Sequence, residues 1–289
     1  MTEQSITVLG TGSMGTAVAA AFLAAGYRTH VWNRSPERTV PLVEAGALAH
    51  RAVAESVAAS PVIISTLTTF AATRDTLVGV EELAGRDLIT LNSGTPVQAR
   101  EFAEFAHCLR ARYLGGAIKN VPAAVGDPDT LLYFGGDRQV FDTHADALRV
   151  LGGDRRFLGA EPDLAALYES AVGATLLPAL LGFFEGAAIL ASRGLPAHTM
   201  VPYSVKWLQM IESLLPILAT EIDGKDYTRL GSSIELFHTA ATDDAQLAAE
   251  TGVDLSWHAP MHELLGRAMA EGRGEQSVTA LFELLRTAR

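Results

Sequence analysis

Three glycines near the start of the chain have the spacing that a bound dinucleotide requires. Gly10, Gly12 and Gly15 follow a short β-branched run and open a helical pattern that begins at Ser13. The first glycine of such a set permits a tight turn, the second lets the backbone approach a pyrophosphate, and the third lets the helix pack on the strand. The N–H groups of the first helical turn, at Ser13 and Met14, would then face the phosphates. We predict a dinucleotide site here; an ordinary glycine turn is the alternative.

The residues after the second predicted strand indicate which dinucleotide binds. A carboxylate at this position would accept hydrogen bonds from the ribose hydroxyls of NAD. The chain instead has Asn33, followed by Arg34, Ser35 and Arg38. Two guanidinium groups and a hydroxyl suit the 2′-phosphate of NADP, because arginine grips phosphate with charge-assisted hydrogen bonds. The sequence therefore predicts NADP or NADPH, and a solvated turn with two surface arginines is the alternative.

Short apolar runs that alternate with helical patterns predict the sheet that positions these residues. Strands are expected at residues 5–9, 28–32, 61–65, 87–91, 112–117 and 131–134. This alternation is typical of α/β proteins with a doubly wound, mostly parallel sheet, in which ligands bind beyond the carboxyl ends of the strands. Residues at or near these ends that we place against the cofactor are Leu67, Thr68, Asn92, Ser93 and Thr95. Ile118 and Val121 are assigned to the substrate pocket.

The character of the chain changes near Ala160, after which the patterns are helical only. We predict a dinucleotide-binding Rossmann domain over residues 1–160 and an all-α dimerisation domain over residues 161–289. Helices are expected at about 163–193, 197–221, 227–251, 257–271 and 277–289, with Gly252 and Gly272 as stop signals.

Residues 163–193 are predicted to form one long, almost wholly apolar helix that joins the two domains. Its uncharged part, residues 171–184, has about 14 residues. Spanning a bilayer takes roughly 20 apolar residues, and an apolar helix too short to span is usually buried in protein. The residues that follow are too few to cover this helix well. We therefore predict a homodimer in which a second copy covers it.

Charge and composition argue against other classes of function. The formal net charge of −11 is unsuited to a nucleic-acid partner and disfavours an anionic membrane surface. The single cysteine, Cys108, cannot form an intramolecular disulfide. The N-terminal residues lack the basic and apolar regions of a signal peptide. These features favour a cytoplasmic protein that binds neither nucleic acid nor membrane.

Several segments together resemble the imine reductases, a family related to the β-hydroxyacid dehydrogenases. They are the glycine fingerprint, the turn Asn33–Ser35, the segment Asn92–Pro96 (NSGTP) and Ala166–Glu169 (ALYE) near the start of the long helix. The resemblance covers essentially the whole chain. It implies an NADPH-binding N-terminal domain and a helical C-terminal domain that exchanges with its partner. It also implies an active site between the N-terminal domain of one subunit and the C-terminal domain of the other.

This resemblance makes Glu169 the candidate catalytic group. The dehydrogenase relatives place a lysine in the first turns of this helix, whereas Lys119, Lys206 and Lys225 all lie elsewhere. Imine reductases commonly show aspartate or tyrosine in this region; glutamate keeps the charge and reaches one methylene farther. A carboxylate in a dry cleft favours a protonated imine, which a lysine would repel. Burial would also raise its pKa and let it give a proton.

The start of this helix has an alternative interpretation and a second candidate residue. An acid in the first turns of a helix also stabilises the helix dipole when it is merely exposed. The neighbouring Tyr168 points about 100° away from Glu169 on a helix, so we expect only one of them to face the substrate. Lys119 is expected in solvent or near the cofactor phosphates.

The expected activity is the NADPH-dependent reduction of C=N bonds. The small-molecule partners would be a cyclic imine, or a ketone together with an amine. A β-hydroxyacid dehydrogenase and a non-catalytic NADP-binding dimer are the alternatives.

Candidate residues also occur in the helical half. Trp207, Met210 and His238 are assigned to the substrate pocket, although each is also compatible with ordinary packing. His258 and His262 have the i, i+4 spacing of metal ligands. No acidic or cysteine cluster accompanies them in the sequence, so no metal site is predicted.

Overall fold

The structure is a computed structural model that describes residues 4–286. Within this range the chain forms two compact units, one ending at Ala174 and the other beginning at Thr175. We call them the sheet unit and the helical unit. The domain change predicted near residue 160 stays a prediction. The first helix after that point packs against the sheet, and it therefore belongs to the sheet unit.

The sheet unit is built on one twisted layer of strands. These are β1 (Ser5–Leu9), β2 (Arg28–Trp32), β3 (Leu48–Ala49), β4 (Val62–Ser65), β5 (Asp87–Thr90), β6 (Arg112–Lys119), β7 (Leu131–Gly136) and β8 (Asp154–Gly159). Over the described residues their order is β3-β2-β1-β4-β5-β6-β7-β8, and neighbours are parallel except β6 and β7. The order reverses between β1 and β4, which is where such sheets bind ligands. The predicted doubly wound, mostly parallel sheet is confirmed.

Two strands were not expected from the sequence, and both are at the sheet edges. The strand β3 has only two residues, both exposed, and β8 carries Asp154, Arg155 and Arg156. Neither has the apolar run that marks a buried strand. The direction of β7 has a separate cause, because residues 120–130 hold only a 3₁₀ turn and no crossover helix. A parallel return requires a crossover of about a dozen residues or more.

Alternate residues of each central strand enter different apolar clusters. Val8 and Ile64 belong to one cluster, whereas Leu9 and Ile63 belong to the other, and all four are buried. Successive side chains of a strand point to opposite faces of the sheet. The sheet is therefore covered on both faces, which explains why its central strands are apolar throughout.

Helices cover the sheet and make up the second unit. In the sheet unit they are α1 (Ser13–Ala24), α2 (Val40–Glu44), α3 (Val53–Ala58), α4 (Phe70–Leu77), α5 (Pro96–Cys108), α6 (Arg138–Thr143), α7 (Ala145–Leu151) and α8 (Leu164–Gly173). In the helical unit they are α9 (Leu176–Ala191), α10 (Val201–Gly224), α11 (Ile234–Ala240), α12 (Asp244–Thr251), α13 (Ala259–Ala270) and α14 (Leu281–Arg286). The predicted helical second half is confirmed.

The prediction of one helix over residues 163–193 is wrong in one respect. The segment forms two helices, α8 and α9, with a turn at Ala174 and Thr175. Pro178 lies one helical turn after Ala174. Proline has no N–H to donate to the carbonyl four residues earlier, and its ring crowds that carbonyl. The hydrogen-bond ladder is therefore interrupted where the sheet unit ends.

The same segment is apolar enough to be compared with a membrane span. By length and composition alone, Leu164–Ala191 could cross a bilayer, and its most apolar 18-residue window has a mean hydropathy of 1.8. This is longer than the uncharged stretch weighed from the sequence. None of its most apolar window is buried, and α9 has no buried residue at all. The single chain therefore leaves this apolar segment uncovered, and its predicted burial against a second copy stays a prediction.

The helical unit has a small core of its own, and it lies after α10. Its buried members are Tyr227, Ile234, Leu265, Ala268, Ala280 and Leu284. The helix predicted over residues 227–251 starts later and is split in two. Ser233 caps α11 by accepting a hydrogen bond from the Leu236 N–H, and a 3₁₀ turn separates α11 from α12. Gly252 ends α12 in the left-handed conformation, as the stop signal predicted.

Candidate active site

The glycine-rich loop joins β1 to α1 at the carboxyl end of the sheet. Gly10 has a φ of 97°, which residues with a side chain rarely adopt. A Cβ on Gly15 would lie 2.0 Å from the Gly10 carbonyl oxygen and 2.4 Å from Thr66 Oγ1. Gly12 differs, because it is exposed and a Cβ there would meet nothing within 4 Å. The fold itself requires Gly10 and Gly15, whereas Gly12 leaves room for an approaching ligand.

The first turn of α1 has hydrogen-bond donors to spare. No side chain among the described residues caps this helix, whose N-cap is Gly12. The first N–H groups of a helix have no partner within the helix, so they serve water or an anionic ligand. Ser13 is exposed, whereas the Met14 side chain packs against the sheet core. Met14 can therefore offer a ligand only its backbone.

Asn33 connects the glycine-rich loop to the turn that follows β2. Its Oδ1 accepts a hydrogen bond from the Thr11 N–H at 3.0 Å, and its Nδ2 donates to the Ser35 carbonyl at 3.0 Å. An amide can accept and donate at once, whereas a carboxylate can only accept. Arg34 and Arg38 are exposed beside it. Asn33 thus positions the loop, and both guanidinium groups remain accessible.

The loops after β4 and β5 are joined by the buried amide of Asn92. This amide donates to the Leu67 carbonyl and accepts a hydrogen bond from Thr73 Oγ1 at 3.2 Å. Leu67 lies against the glycine-rich loop, since a Cβ on Gly10 would be 3.0 Å from Leu67 Cδ2. Thr66 Oγ1 donates to the Gly10 carbonyl at 2.9 Å. Three strand-end loops are therefore fixed together at one edge of the sheet.

Three further predicted residues lie in these loops. Thr68 and Ser93 are exposed. Thr95 caps α5 through a capping box, in which its hydroxyl accepts from the Gln98 N–H at 3.3 Å. The hydroxyl proton of Thr95 is left for a ligand. The structure thus places the predicted cofactor residues on neighbouring loops, and their contact with the cofactor stays a prediction.

The start of α8 is held at two points, one on the sheet and one on helix α5. A Cβ on Gly135 of β7 would lie 3.1 Å from the Leu164 Cβ, so glycine lets the helix approach closely. Asp163, the N-cap of α8, forms an ion pair with Arg100 of α5. These contacts fix the helix that carries Glu169.

Glu169 lies beside a lysine that ends strand β6. Its Oε1 is 4.0 Å from the Nζ of Lys119, and the two side chains are 27% and 23% exposed. Burial raises the pKa of Glu169, and the Lys119 charge offsets part of that rise. Such an acid holds a proton nearer to neutral pH, and its charged form stabilises a cation. Of the two expectations for Lys119, a solvated side chain is wrong, because α8 folds onto the end of β6 and partly buries it. Its contact with the cofactor phosphates stays a prediction.

The other candidates of the sheet unit have different surroundings. Tyr168 is exposed, and its ring lies 6.0 Å from that of Tyr133, a phenol whose pKa is raised by burial and by the nearby charges of Asp154 and Glu169. Ile118 packs against the sheet core, and Val121 is 62% exposed. Ile118 is therefore fixed in place, whereas Val121 is accessible to a ligand or a second chain.

The candidates of the helical unit do not form one cluster. Trp207 is 66% exposed and lines a groove of about 630 Å³. Other side chains in this groove include Phe183, Met200, Tyr203 and Ile211. Met210 is half-buried outside that lining, and His238 is half-buried in the last turn of α11. Of the three residues assigned to the substrate pocket, the groove is therefore lined by Trp207 and not by Met210 or His238.

A sheet with this strand order and a glycine-rich loop at its switch point are typical of dinucleotide-binding proteins. Two family models divide the chain in the same way. Residues 5–159 match the NAD-binding domain of 6-phosphogluconate dehydrogenase. Residues 161–287 match the C-terminal domain of NADPH-dependent reductive aminase-like proteins.

Individual relatives show to which family of dinucleotide-dependent enzymes the chain is similar. The chain is 31% identical to an NADPH-dependent reductive aminase of Aspergillus oryzae over 99% of both chains. A reductive aminase structure from Aspergillus terreus, in complex with NADPH4, cyclohexanone and allyl amine, covers 98% of this chain and 100% of its own, with a TM-score of 0.92 and 32% identity. An imine reductase from Streptomyces aurantiacus covers 98% and 99%, with a TM-score of 0.93 and 29% identity. The chain belongs to the family of NADPH-dependent reductive aminases and imine reductases.

Proposed function

We propose that the protein reduces C=N bonds with NADPH, and that its substrates are cyclic imines or the imines formed from a ketone and an amine. The observation that carries the proposal is the similarity to a reductive aminase over 99% of both chains. The A. terreus relative is described with a ketone and an amine together. That description supports reductive amination as part of the activity.

The sheet unit fits the cofactor. The open space over Gly12 and the uncapped first turn of α1 suit a pyrophosphate, and Arg34 and Arg38 suit a 2′-phosphate. Ser35 would add a hydroxyl to the phosphate grip. When bound, NADPH supplies the hydride. The glycine-rich loop would hold the nucleotide at the switch point of the sheet, and Ser93 and Thr95 would contact its nicotinamide half.

Glu169 is the group that we assign to the substrate nitrogen. Its partial burial strengthens the attraction between a carboxylate and a protonated imine. Its raised pKa also suits a carboxyl group that gives the nitrogen a proton. The positive charge of Lys119 limits both effects. It offsets part of the negative charge of Glu169 and lowers the pKa of the carboxyl group.

The protein acts as a homodimer in this proposal. Apolar residues of α9 and α10 are exposed, among them Leu177, Phe184 and Trp207. An apolar surface of this extent marks an interaction site, and a second copy of the chain is the occupant that the family resemblance implies. The groove of Trp207 would then contribute to the substrate pocket of a partner subunit, together with Met210 and His238.

Substituting Glu169 with glutamine tests the catalytic assignment. The change keeps the size of the side chain and removes both its charge and its acidity. We expect kcat/KM for 2-methylpyrroline reduction to fall by about 10²–10⁴-fold, the usual contribution of a general acid or base. NADPH binding should not change, because the glycine-rich loop is untouched.

The matched control is Glu161→Gln, which removes the same charge from an exposed position shortly before α8. This variant should reduce imines at the wild-type rate. If Glu169→Gln and Glu161→Gln have equal turnover, Glu169 has no part in the chemistry. The family assignment would survive that result.

Lys119 provides the one structural argument for the dehydrogenase alternative, since it brings a cation close to Glu169. A hydroxyacid dehydrogenase needs such a cation at the carbonyl oxygen. For an imine reductase, Lys119→Met should retain turnover and shift the pH profile of kcat/KM upward, because the loss of Lys119 raises the pKa of Glu169 further. Loss of imine turnover, with NADP-linked oxidation of 3-hydroxyisobutyrate in the wild type, would favour the dehydrogenase instead.

A further inference from the structure

A cluster of two histidines and an aspartate lies in the helical unit. His258 and His262 are one helical turn apart at the start of α13, a spacing that the sequence offers without an accompanying acidic or cysteine cluster. The fold adds Asp244, the first residue of α12, which lies 14 positions before His258. All three side chains are partly buried, at 16%, 34% and 25% exposure for His258, His262 and Asp244.

The potential ligand atoms of these side chains converge on one point. Asp244 Oδ2 lies 2.5 Å from His258 Nδ1 and 3.0 Å from His262 Nε2. The three ligand atoms all lie within 4.8 Å of one another. Ligands of a tetrahedral zinc ion, with bonds of about 2.0–2.2 Å, lie roughly 3.5 Å from one another. Small side-chain rotations would therefore admit an ion among these atoms.

A second carboxylate fixes the orientation of His258. Glu185 Oε2 lies 2.8 Å from His258 Nε2, and it also accepts a hydrogen bond from Trp257 Nε1 at 2.8 Å. With Nε2 donating to Glu185, Nδ1 is the ring atom that faces Asp244, and it becomes a ligand atom when an ion replaces its proton. A metal-bound histidine almost always donates its other ring N–H to such a partner. The cluster thus has both a ligand set and the outer contact that orients it.

We propose that Asp244, His258 and His262 bind one divalent transition-metal ion of the zinc type, and that Glu185 is a positioning residue for His258. Two imidazoles and a carboxylate are ligands that Zn²⁺ prefers, and a water molecule would complete four coordination. An open cavity of about 410 Å³ is lined by Asp244 and His262, so the ion has a path from solvent.

The ion would supply an anchor that apolar packing does not. The helix α12 has no buried residue, and the small core of the helical unit contains none of its side chains. A metal bound by Asp244 on one side and by His258 and His262 on the other ties α12 to α13 across the intervening loop. Since the ligands must be assembled by folding, metal binding adds to the stability of the folded state.

The test uses the full-length chain without an affinity tag, stripped of metal with EDTA and then titrated with Zn²⁺ alone by calorimetry. We expect one tight site per chain, a rise in Tm with added Zn²⁺, and at least about a tenfold loss of affinity in His258→Gln and in His262→Gln. The matched control is His107→Gln, an exposed histidine of the sheet unit, which should bind Zn²⁺ like the wild type.

The visible spectrum of bound Co²⁺ distinguishes a metal ligand from a residue with a purely structural role. The wild type should give the intense visible bands of tetrahedral Co²⁺, and Glu185→Gln should keep these bands while its affinity falls by about 10–100-fold. The metal-free Tm of that variant should stay near the wild-type value, because glutamine still accepts the Trp257 hydrogen bond. If Zn²⁺ binds the wild type no better than the two histidine variants, the cluster is a set of ion-paired histidines only and the proposal fails.

Discussion

The sheet unit buries its large apolar side chains, whereas the helical unit exposes many of its own. Phe22, Ile63 and Leu88 have no exposed surface. In α9 no residue is buried, and Leu177 and Phe184 are 62% and 56% exposed. The two units have similarly apolar sequences in these elements, so the difference lies in what covers them.

The sheet unit covers its apolar surfaces with its own helices, whereas we infer that the helical unit requires a partner to cover α9. A doubly wound sheet is covered by its own helices on both faces. The core of the helical unit begins only at Tyr227, which leaves α9 and most of α10 outside it. An exposed apolar patch larger than a few hundred Å² marks an interface in most proteins. A second copy of the chain is the occupant that we propose, and three predictions test this view.

The largest effect is expected from a charge on the exposed face of α9. In Leu177→Asp, dimerisation would bury a carboxylate without a partner, which costs several kcal/mol. A loss of about 4 kcal/mol corresponds to a thousandfold weaker dimer. We expect monomers or aggregates in sedimentation analysis, and no imine turnover.

The matched control for this prediction is Leu285→Asp in α14. Leu285 is 65% exposed, as much as Leu177, and it is in the same unit. This variant should remain dimeric and active. A wild-type protein that sediments as a monomer at micromolar concentration would remove the basis of the comparison, and so would equal behaviour of the two variants.

The second prediction concerns two glycines of the sheet unit that differ in what surrounds them. Gly15→Ala would place a Cβ 2.0 Å from a backbone oxygen, and overpacking of this kind costs about 3 kcal/mol. Gly12→Ala meets no protein atom within 4 Å, so its stability should change by about 1 kcal/mol at most. It should instead weaken NADPH binding, by about tenfold for each 1.4 kcal/mol of lost contact.

Thermal unfolding and NADPH titration together check this pair. Gly15→Ala should lower Tm clearly, whereas Gly12→Ala should raise the Kd for NADPH with a much smaller change in Tm. If Gly12→Ala binds NADPH normally, the pyrophosphate does not lie over this glycine, and the cofactor assignment of the loop is wrong.

The sequence carried enough information for most of the sheet, because buried parallel strands are continuous apolar runs. The strands β1 and β2 occupy residues 5–9 and 28–32, as predicted. The edge strand β8 was missed because half of its residues are charged or polar, and edge strands need bury only part of their surface. The split between α8 and α9 depends on Pro178. Proline is a recognisable helix-breaking signal, but the continuous apolar run around it led to the prediction of a single helix.

The parts of the candidate site that consist of residues close together in the sequence could be predicted. The contacts between residues far apart in the sequence could not. The glycine-rich loop and the turn after β2 are local, so their residues could be named from the sequence. The approach of Lys119 to Glu169 depends on how α8 lies on β6. In the same way, Asp244 meets His258 only because the fold brings the start of α12 close to the residue before α13. Such pairs leave no periodic signal in the chain.

The third prediction concerns a buried carboxylate of the helical unit, Glu221, and the hydrogen bonds that it accepts. Among the residues of α10, which the structure describes completely, Glu221 alone is buried. Burial by itself would raise the pKa of Glu221. Hydrogen bonds from Thr279, Ser277 and the N–H groups of Leu230 and Arg229 outweigh that effect and lower the pKa to about 2.

The charged form of Glu221 therefore stabilises the folded state. Its pKa of about 2 is below the ordinary value of 4.5, so this stabilisation is complete above pH 4.5 and is lost as the pH falls toward 2. Glu221→Gln keeps one acceptor but removes the charge, which should lower the free energy of unfolding by about 1–3 kcal/mol at pH 7. Urea unfolding at pH 7 and pH 3 measures the difference between variant and wild type. A difference that is the same at both pH values would mean that packing, and not the carboxylate charge, holds the segment after α10 in place.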